Sequence, residues 1–224
     1  MDINENIAKT LKTIKEGVTL IAVSKTKPIE MLEEAYKTGI RDFGENKVQE
    51  LCEKYDEFHK DVRWHLLGHL QRNKVKYIVG KVNLIHSVDS IELIREIEKR
   101  YKKENLIADI LIQINIGRET QKYGVLEENI YDIMEEVKSC DNVKVKGLMA
   151  IIPKGNKEEN KAYFDKMYNI FKELKNKQFN NVSMDILSMG MTHDYLEAIE
   201  AGSNMVRIGE GIFGKRDYSK LSWK

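Results

Sequence analysis

The chain has 224 residues, 42% hydrophobic and 33% charged, a composition of ordinary globular proteins and enough material for one large domain. Its 37 basic and 36 acidic residues leave a formal net charge of +1, so no charge excess draws it to nucleic acid or to an anionic membrane. Cys52 and Cys140 have no metal-site spacing and form no disulfide framework, and no apolar run approaches the length of about 18 residues that a membrane span needs. Residues 1–6 are acidic and polar, unlike a secretory or mitochondrial signal, so a cytoplasmic protein is expected.

The first element reads as a helix, with Ile3, Ile7, Leu11 and Ile14 at spacings of 4, 4 and 3. A strand follows at 20–25. Pro28 suits the first turn of the next helix and Gly39 its C-terminal stop. Seven further apolar runs read as strands: 41–46, 64–68, 84–89, 109–116, 145–151, 183–189 and 205–208. Between most of them lie segments of helical spacing with charged outer faces, such as 90–101 and 162–174. With only two prolines and no low-complexity tract there is no linker, and 1–224 reads as a single domain. Eight strands alternating with helices predict an α/β fold, a single (β/α)8 TIM-type barrel with an extra N-terminal helix; such barrels typically have roughly 250 residues. A doubly wound open sheet shares the alternation and is the competing architecture.

In a barrel, function gathers where strands end and loops begin. The strand ends here carry Lys25, Glu45, Asn46, His65, His69, His86, Asp89, Asn115, Met149, Ser188 and Arg207. Lys25 closes an apolar strand, where a long amine either leaves for solvent or has a partner or a chemical task, of which imine formation with an aldehyde is the obvious one. After strand 7, Ser188 and Thr192 offer hydroxyls, Gly190 permits close backbone approach, and a helix follows. After strand 8, Gly209, Glu210 and Gly211 present more backbone. Thr192 could instead be a helix N-cap and the glycines turn residues; together the two loops favour an anion site, as in many barrels. Strand 8 neighbours strand 1 in a closed barrel, so an aldehyde bearing a phosphate would satisfy both, and pyridoxal 5′-phosphate is such a molecule. Alternation puts Met205 and Arg207 on one face of strand 8, so Arg207 can face the ring of that cofactor; the other role open to it is an ion pair with Glu45 or Asp89.

Several segments in order resemble the pyridoxal-phosphate-binding homeostasis proteins: Ala22-Val23-Ser24-Lys25-Thr26, Phe43-Gly44-Glu45-Asn46, the run from Trp64 to Lys74, His86-Ser87-Val88-Asp89, Lys122-Tyr123-Gly124, Gly147-Leu148-Met149, Ser188-Met189-Gly190-Met191 and Val206-Arg207-Ile208-Gly209. The resemblance implies a barrel like the N-terminal domain of bacterial alanine racemase and a Schiff base between pyridoxal 5′-phosphate and Lys25. It implies phosphate contacts from the 188–192 loop and from the backbone at Gly209 and Glu210, Arg207 facing the pyridine nitrogen, and Asn46 beside the cofactor. Three positions depart from the family pattern: Lys47 replaces a usual tyrosine, Thr192 a usual serine, and His193 a usual acidic residue.

Two functions suit such a barrel. Racemisation needs two acid–base groups on opposite faces of a substrate carbon. In the racemases the second is a tyrosine of a following domain, and that domain is expected to be absent from a chain ending at Lys224, which leaves Tyr123 or His65 as substitutes. Binding without turnover, in which the protein holds the cofactor as a reversible imine and releases it to apo-enzymes, is what the resemblance implies and is preferred here. A sugar-phosphate aldolase using Lys25 is the third reading. No metal site is assigned: His65, His69 and His86 read as rim or core histidines, His59 and His193 as exposed. A monomer is expected.

Overall fold

A computed structural model of the chain describes residues 2–215. The domain expected over 1–224 begins and ends outside these described residues. Eight parallel strands follow one another round a closed barrel: β1 (Thr19–Val23), β2 (Asp42–Glu45), β3 (Arg63–Leu66), β4 (Leu84–Val88), β5 (Ala108–Ile114), β6 (Val143–Ala150), β7 (Val182–Ser188) and β8 (Met205–Ile208). Closure is made by β1, where Ala22 lies opposite Phe43 of β2 on one side and Ile208 of β8 on the other. An open sheet has two edge strands, whereas every strand here is paired on both sides, so that architecture is excluded. The helices are α1 (Ile3–Thr13), α2 (Ile29–Lys37), α3 (Val48–Glu57), α4 (Val75–Ile78), α5 (Ile91–Lys103), α6 (Ile130–Lys138), α7 (Lys157–Lys175), α8 (Tyr195–Glu200) and α9 (Glu210–Phe213).

Strand alternation divides the core in two. Leu20 and Ala22 of β1, Phe43 of β2, and Val206 and Ile208 of β8 face the helices and join the large outer cluster. Ile21 and Val23 of β1, Leu84, Leu111, Met149 and Met205 fill the barrel interior. That interior also holds buried polar side chains, among them Asp42, His65, His86, Ser188 and Arg207. Barrel interiors are usually stacked layers of branched apolar residues, so a polar row there is a departure that calls for a reason.

The extra N-terminal helix is present, but its buried stripe differs from the expected one. Ile3, Ile7 and Thr10 are buried and Leu11 is 45% exposed. Each four-residue step overshoots a helical turn by about 40°, so two such steps carry Leu11 off the stripe and bring Thr10 onto it. The Thr10 hydroxyl is satisfied by donating to the Asn6 carbonyl at 2.8 Å. Asn6 in turn donates to the Ile212 carbonyl of α9 at 3.1 Å, which fastens the two ends of the described chain together. Pro28 is the N-cap of α2, one position before its first turn, and Gly39 follows the C-cap Thr38. Among the described residues no helix is long and apolar enough to cross a membrane.

Gly147 sits where the register of β6 shifts against both neighbours. Its φ is +152°, and a Cβ there would stand 1.8 Å from the Ile186 carbonyl oxygen, a backbone atom that has nowhere to go. Gly147→Ala is expected to destabilise the fold by about 3 kcal/mol, measured by urea unfolding.

Candidate functional site

The same alternation aims the first-strand lysine. Ile21 and Val23 point into the barrel, and Lys25 is the next residue of that row, past the strand end. Asp42, Gly44 and Asn46 form the inward row of β2, and Met205, Arg207 and Gly209 that of β8. These rows end on one cavity of about 470 Å³ at the C-terminal mouth of the barrel, lined by Lys25, Asn46, Thr192, Arg207, Gly209 and Glu210. Val23, Leu67, Ile151 and Met191 supply its apolar wall, and Lys27 and His193 reach it as well. Lys47 is exposed and stands outside it as the N-cap of α3.

Two of the expected residues sit behind the wall rather than in it. Ser188 is fully buried beneath the cavity and accepts a hydrogen bond from Arg207 Nη1 at 2.6 Å. Gly190 has φ +94°, and a Cβ there would come within 2.7 Å of the Ala198 methyl and 2.9 Å of Tyr195 Cα. It therefore lets the loop after β7 lie against α8, and its carbonyl accepts from the Arg207 N–H at 3.1 Å. Thr192 is not the helix N-cap, a place taken by Asp194. Its hydroxyl accepts from the Gly211 N–H at 3.2 Å and so ties the loop after β7 to the loop after β8. Lys27 closes the same region by donating to the carbonyls of Phe213, Gly214 and Lys215 at 2.9–3.2 Å.

The loop that carries Lys25 is clamped from outside the barrel. Thr26 has φ +63°, a left-handed conformation costly for a β-branched residue. Its N–H donates to Glu50 Oε1 at 2.6 Å. The Lys54 ammonium, buried on α3, donates at 2.8 Å to three acceptors: the Ser24 carbonyl, Glu45 Oε1 and Glu50 Oε1. Ser24 Oγ adds a 2.6 Å bond to Glu45 Oε1. Both flanks of Lys25 are thus held. Burial pushes the Glu45 carboxyl up, to about 7, against the pull of Lys54. Its second oxygen, Oε2, is buried without a hydrogen-bond partner among the described residues.

Arg207 pairs with neither carboxylate considered for it. Glu45 faces outward to Lys54, and Asp89 lies 3.3 Å from His69. The guanidinium donates to Ser188 Oγ and, from Nη2, to the Ala150 carbonyl at 2.9 Å. Burial pulls its pKa down to about 10, with Asp194 opposing. It keeps its proton at neutral pH, and its remaining N–H groups are donors beside the cavity. Of the histidines, His65 and His86 are buried inside the barrel and His69 stacks on the exposed Tyr123 ring at 3.7 Å. His59 and His193 are exposed, the latter at the cavity edge.

Lys54 and Glu50 were not among the expected site residues, and His65 and His86 were read as rim or core histidines, with His65 a substitute base in the racemase reading. A signal existed for Lys54: it falls on the apolar stripe of α3 with Leu51, Tyr55 and Phe58, where a charge must have a partner.

Comparison with known proteins matches residues 2–217 to the family described as alanine racemase, N-terminal domain. A protein of Aquifex aeolicus named pyridoxal phosphate homeostasis protein is 46% identical over 219 residues, covering 96% of this chain and 95% of that one. A mouse protein of the same name is 38% identical, covering 90% of this chain and 78% of that one. The structure of PipY from Synechococcus elongatus with PLP bound superposes with a TM-score of 0.87 at 32% identity, over 95% of this chain and all of that one. An alanine racemase of Clostridium difficile, at 16% identity and a TM-score of 0.78 over 57% of its length, shares the fold. The chain belongs to the alanine racemase N-terminal domain family and, within it, to the pyridoxal phosphate homeostasis proteins.

Lys54→Met leaves Glu45 and Glu50 facing each other without a cation. At pH 8 it is expected to cost about 3 kcal/mol in urea unfolding. The cost should shrink towards pH 5, because the buried Glu45 carboxyl then takes up a proton in the folded state and the uncompensated charge disappears. A cost independent of pH would contradict this account of the clamp.

Proposed function

We infer that this protein holds pyridoxal 5′-phosphate in the cavity at the barrel mouth, with Lys25 as its tether, and serves to store and hand on the cofactor. The observation that carries this reading is the convergence of Lys25, Asn46, Thr192, Arg207, Gly209 and Glu210, from four separate segments, on one cavity. The donor set suits the molecule: an amine for an aldehyde, a guanidinium for a ring nitrogen, and a hydroxyl with two glycine-containing loops for a phosphate. The names of the relatives and the PLP-bound PipY structure support the same ligand.

When bound, pyridoxal phosphate supplies an aldehyde that an amine can capture reversibly as an imine. The chain's own residues do the rest. Lys25 reaches the cavity from a loop whose two flanks are fixed, so the backbone from which its amine extends is held in place. Arg207 can only donate, so it leaves a facing pyridine nitrogen as an acceptor and keeps the ring a weak electron sink. Thr192 and the backbone at Gly209 and Glu210 hold the phosphate, with Ser188 and Gly190 supporting that wall from behind.

A carrier is favoured over a racemase by the relatives' name and by the places of Tyr123 and His65. Neither lines the cavity: Tyr123 is exposed and stacked on His69, and both His65 ring nitrogens are engaged within the barrel. We place the protein in the cytoplasm, as a monomer, with apo-enzymes that need pyridoxal phosphate as its recipients.

The protein mixed with pyridoxal phosphate should turn yellow, and borohydride should fix the cofactor to Lys25 in peptide mapping. Lys25→Ala should abolish the fixed adduct and leave weaker, phosphate-dependent binding. Incubation with alanine in deuterated water should give Cα exchange far below the ~10 s⁻¹ of a median enzyme. Exchange at that rate would replace the carrier with a racemase, and a colourless protein would remove the cofactor from both.

A further inference from the structure

Arg207 is a buried cation with no carboxylate in ion-pair contact among the described residues, and such a charge needs compensation from somewhere. The barrel interior supplies a continuous line of hydrogen bonds. Arg207 Nη1 lies 2.6 Å from Ser188 Oγ, which lies 3.2 Å from His86 Nδ1. His86 Nε2 lies 3.0 Å from His65 Nδ1, and His65 Nε2 lies 3.0 Å from Asp42 Oδ1. Asp42 opens β2 at the opposite end of the barrel, where Arg63 grips both its oxygens.

With both imidazoles neutral, the two ends set the direction of every proton between them. A guanidinium only donates and a carboxylate only accepts. Ser188 therefore accepts from Arg207 and gives its own proton to His86 Nδ1. His86 must carry its hydrogen on Nε2 and donate to His65 Nδ1, and His65 donates from Nε2 to Asp42. One proton then stands in each gap, and no member is left unsatisfied. Burial pushes His86 well below the usual imidazole range, in keeping with a neutral ring. Burial alone would raise the Asp42 carboxyl, but hydrogen bonds from His65 and Arg63 outweigh it and hold it at about 2, in keeping with a permanent acceptor.

We propose that Asp42, His65 and His86 are positioning residues for Arg207, which they orient through one unidirectional hydrogen-bond chain from the bottom of the barrel to the floor of the cofactor cavity. The proposal rests on the reading that Arg207 faces the ring of bound pyridoxal phosphate. In that arrangement His86, which does not line the cavity, decides which lone pair of Ser188 meets the guanidinium and hence where its free N–H groups point. The chain makes the aim of Arg207 depend on residues of β2, β3, β4 and β7.

The full-length protein labelled with ¹⁵N-histidine tests the direction. Long-range ¹H–¹⁵N spectra at neutral pH should show His65 and His86 both carrying hydrogen on Nε2 and none on Nδ1. An Nδ1–H tautomer or an imidazolium at either residue would overturn the chain. Two variants test its effect. His86→Leu should weaken pyridoxal phosphate binding about tenfold, as expected for losing support to a charged donor, and should move the absorbance maximum of the bound cofactor. His86→Asn can place its Oδ1 near the position of Nδ1 and still accept from Ser188, so it should restore both properties. Leucine and asparagine variants that behave alike would overturn the proposal, and a merely structural histidine would leave the absorbance maximum unmoved. Wild-type protein that binds no cofactor would remove the reading on which the proposal rests, a failure told apart because the ring-nitrogen spectra do not need the cofactor.

Discussion

The Lys54 ammonium lies between two carboxylates and the carbonyl of Ser24, and the presentation of the whole site depends on that contact. It joins β1, β2 and α3 at one point just outside the barrel wall. The loop it holds is unfavourable by itself, since Thr26 adopts a left-handed backbone and Lys25 must stay near a partly apolar cavity. The free energy for that loop comes from charge-assisted hydrogen bonds in a poorly hydrated place, where they are stronger than in water. The same burial makes the arrangement brittle, because removing one member strands the others.

On the other side of the wall the same logic serves the second cation. Arg207 stands among Ile21, Val23, Met149 and Met205, in a layer that most barrels fill with aliphatic side chains. It is accommodated without a carboxylate in ion-pair contact among the described residues because Ser188 and Ala150 accept from it directly and a polar row leads away from Ser188. Lys25 and Arg207 therefore reach one cavity by opposite means. One is held through the outer face of the sheet by an ion cluster, the other through its inner face by a row of buried polar side chains. A molecule with an aldehyde at one position of a ring and a nitrogen at another can use both.

Much of this was readable in the chain. All eight strands lie where the apolar runs placed them, because short runs bounded by polar residues are what a strand buried on both faces requires. Alternation alone aimed Arg207 inward with Met205. The same rule, applied to β2, sends Glu45 outward with Phe43 and removes it as a partner for Arg207, although the strand-end position of Glu45 suggested otherwise. Ser188 was expected at the phosphate because it opens the loop, but as the last residue of β7 it still points into the interior. The row from Asp42 to Arg207 could not be read, since it depends on the register of β2, β3, β4, β7 and β8, which no local pattern encodes. Leu11 shows a smaller version of the same limit, where four-residue spacing drifts off a stripe that Thr10 completes.

One cavity is expected to receive pyridoxal phosphate in one orientation, set by Lys25 at one side, Arg207 at the floor and the loops after β7 and β8 at the other side. A crystal structure grown with the cofactor measures this directly. The expected result is density continuous with Lys25 Nζ, a phosphate against Thr192, Gly209 and Glu210, and the ring nitrogen within hydrogen-bond distance of Arg207. Cofactor bound elsewhere, or bound in this cavity with its phosphate towards Lys25, would contradict it.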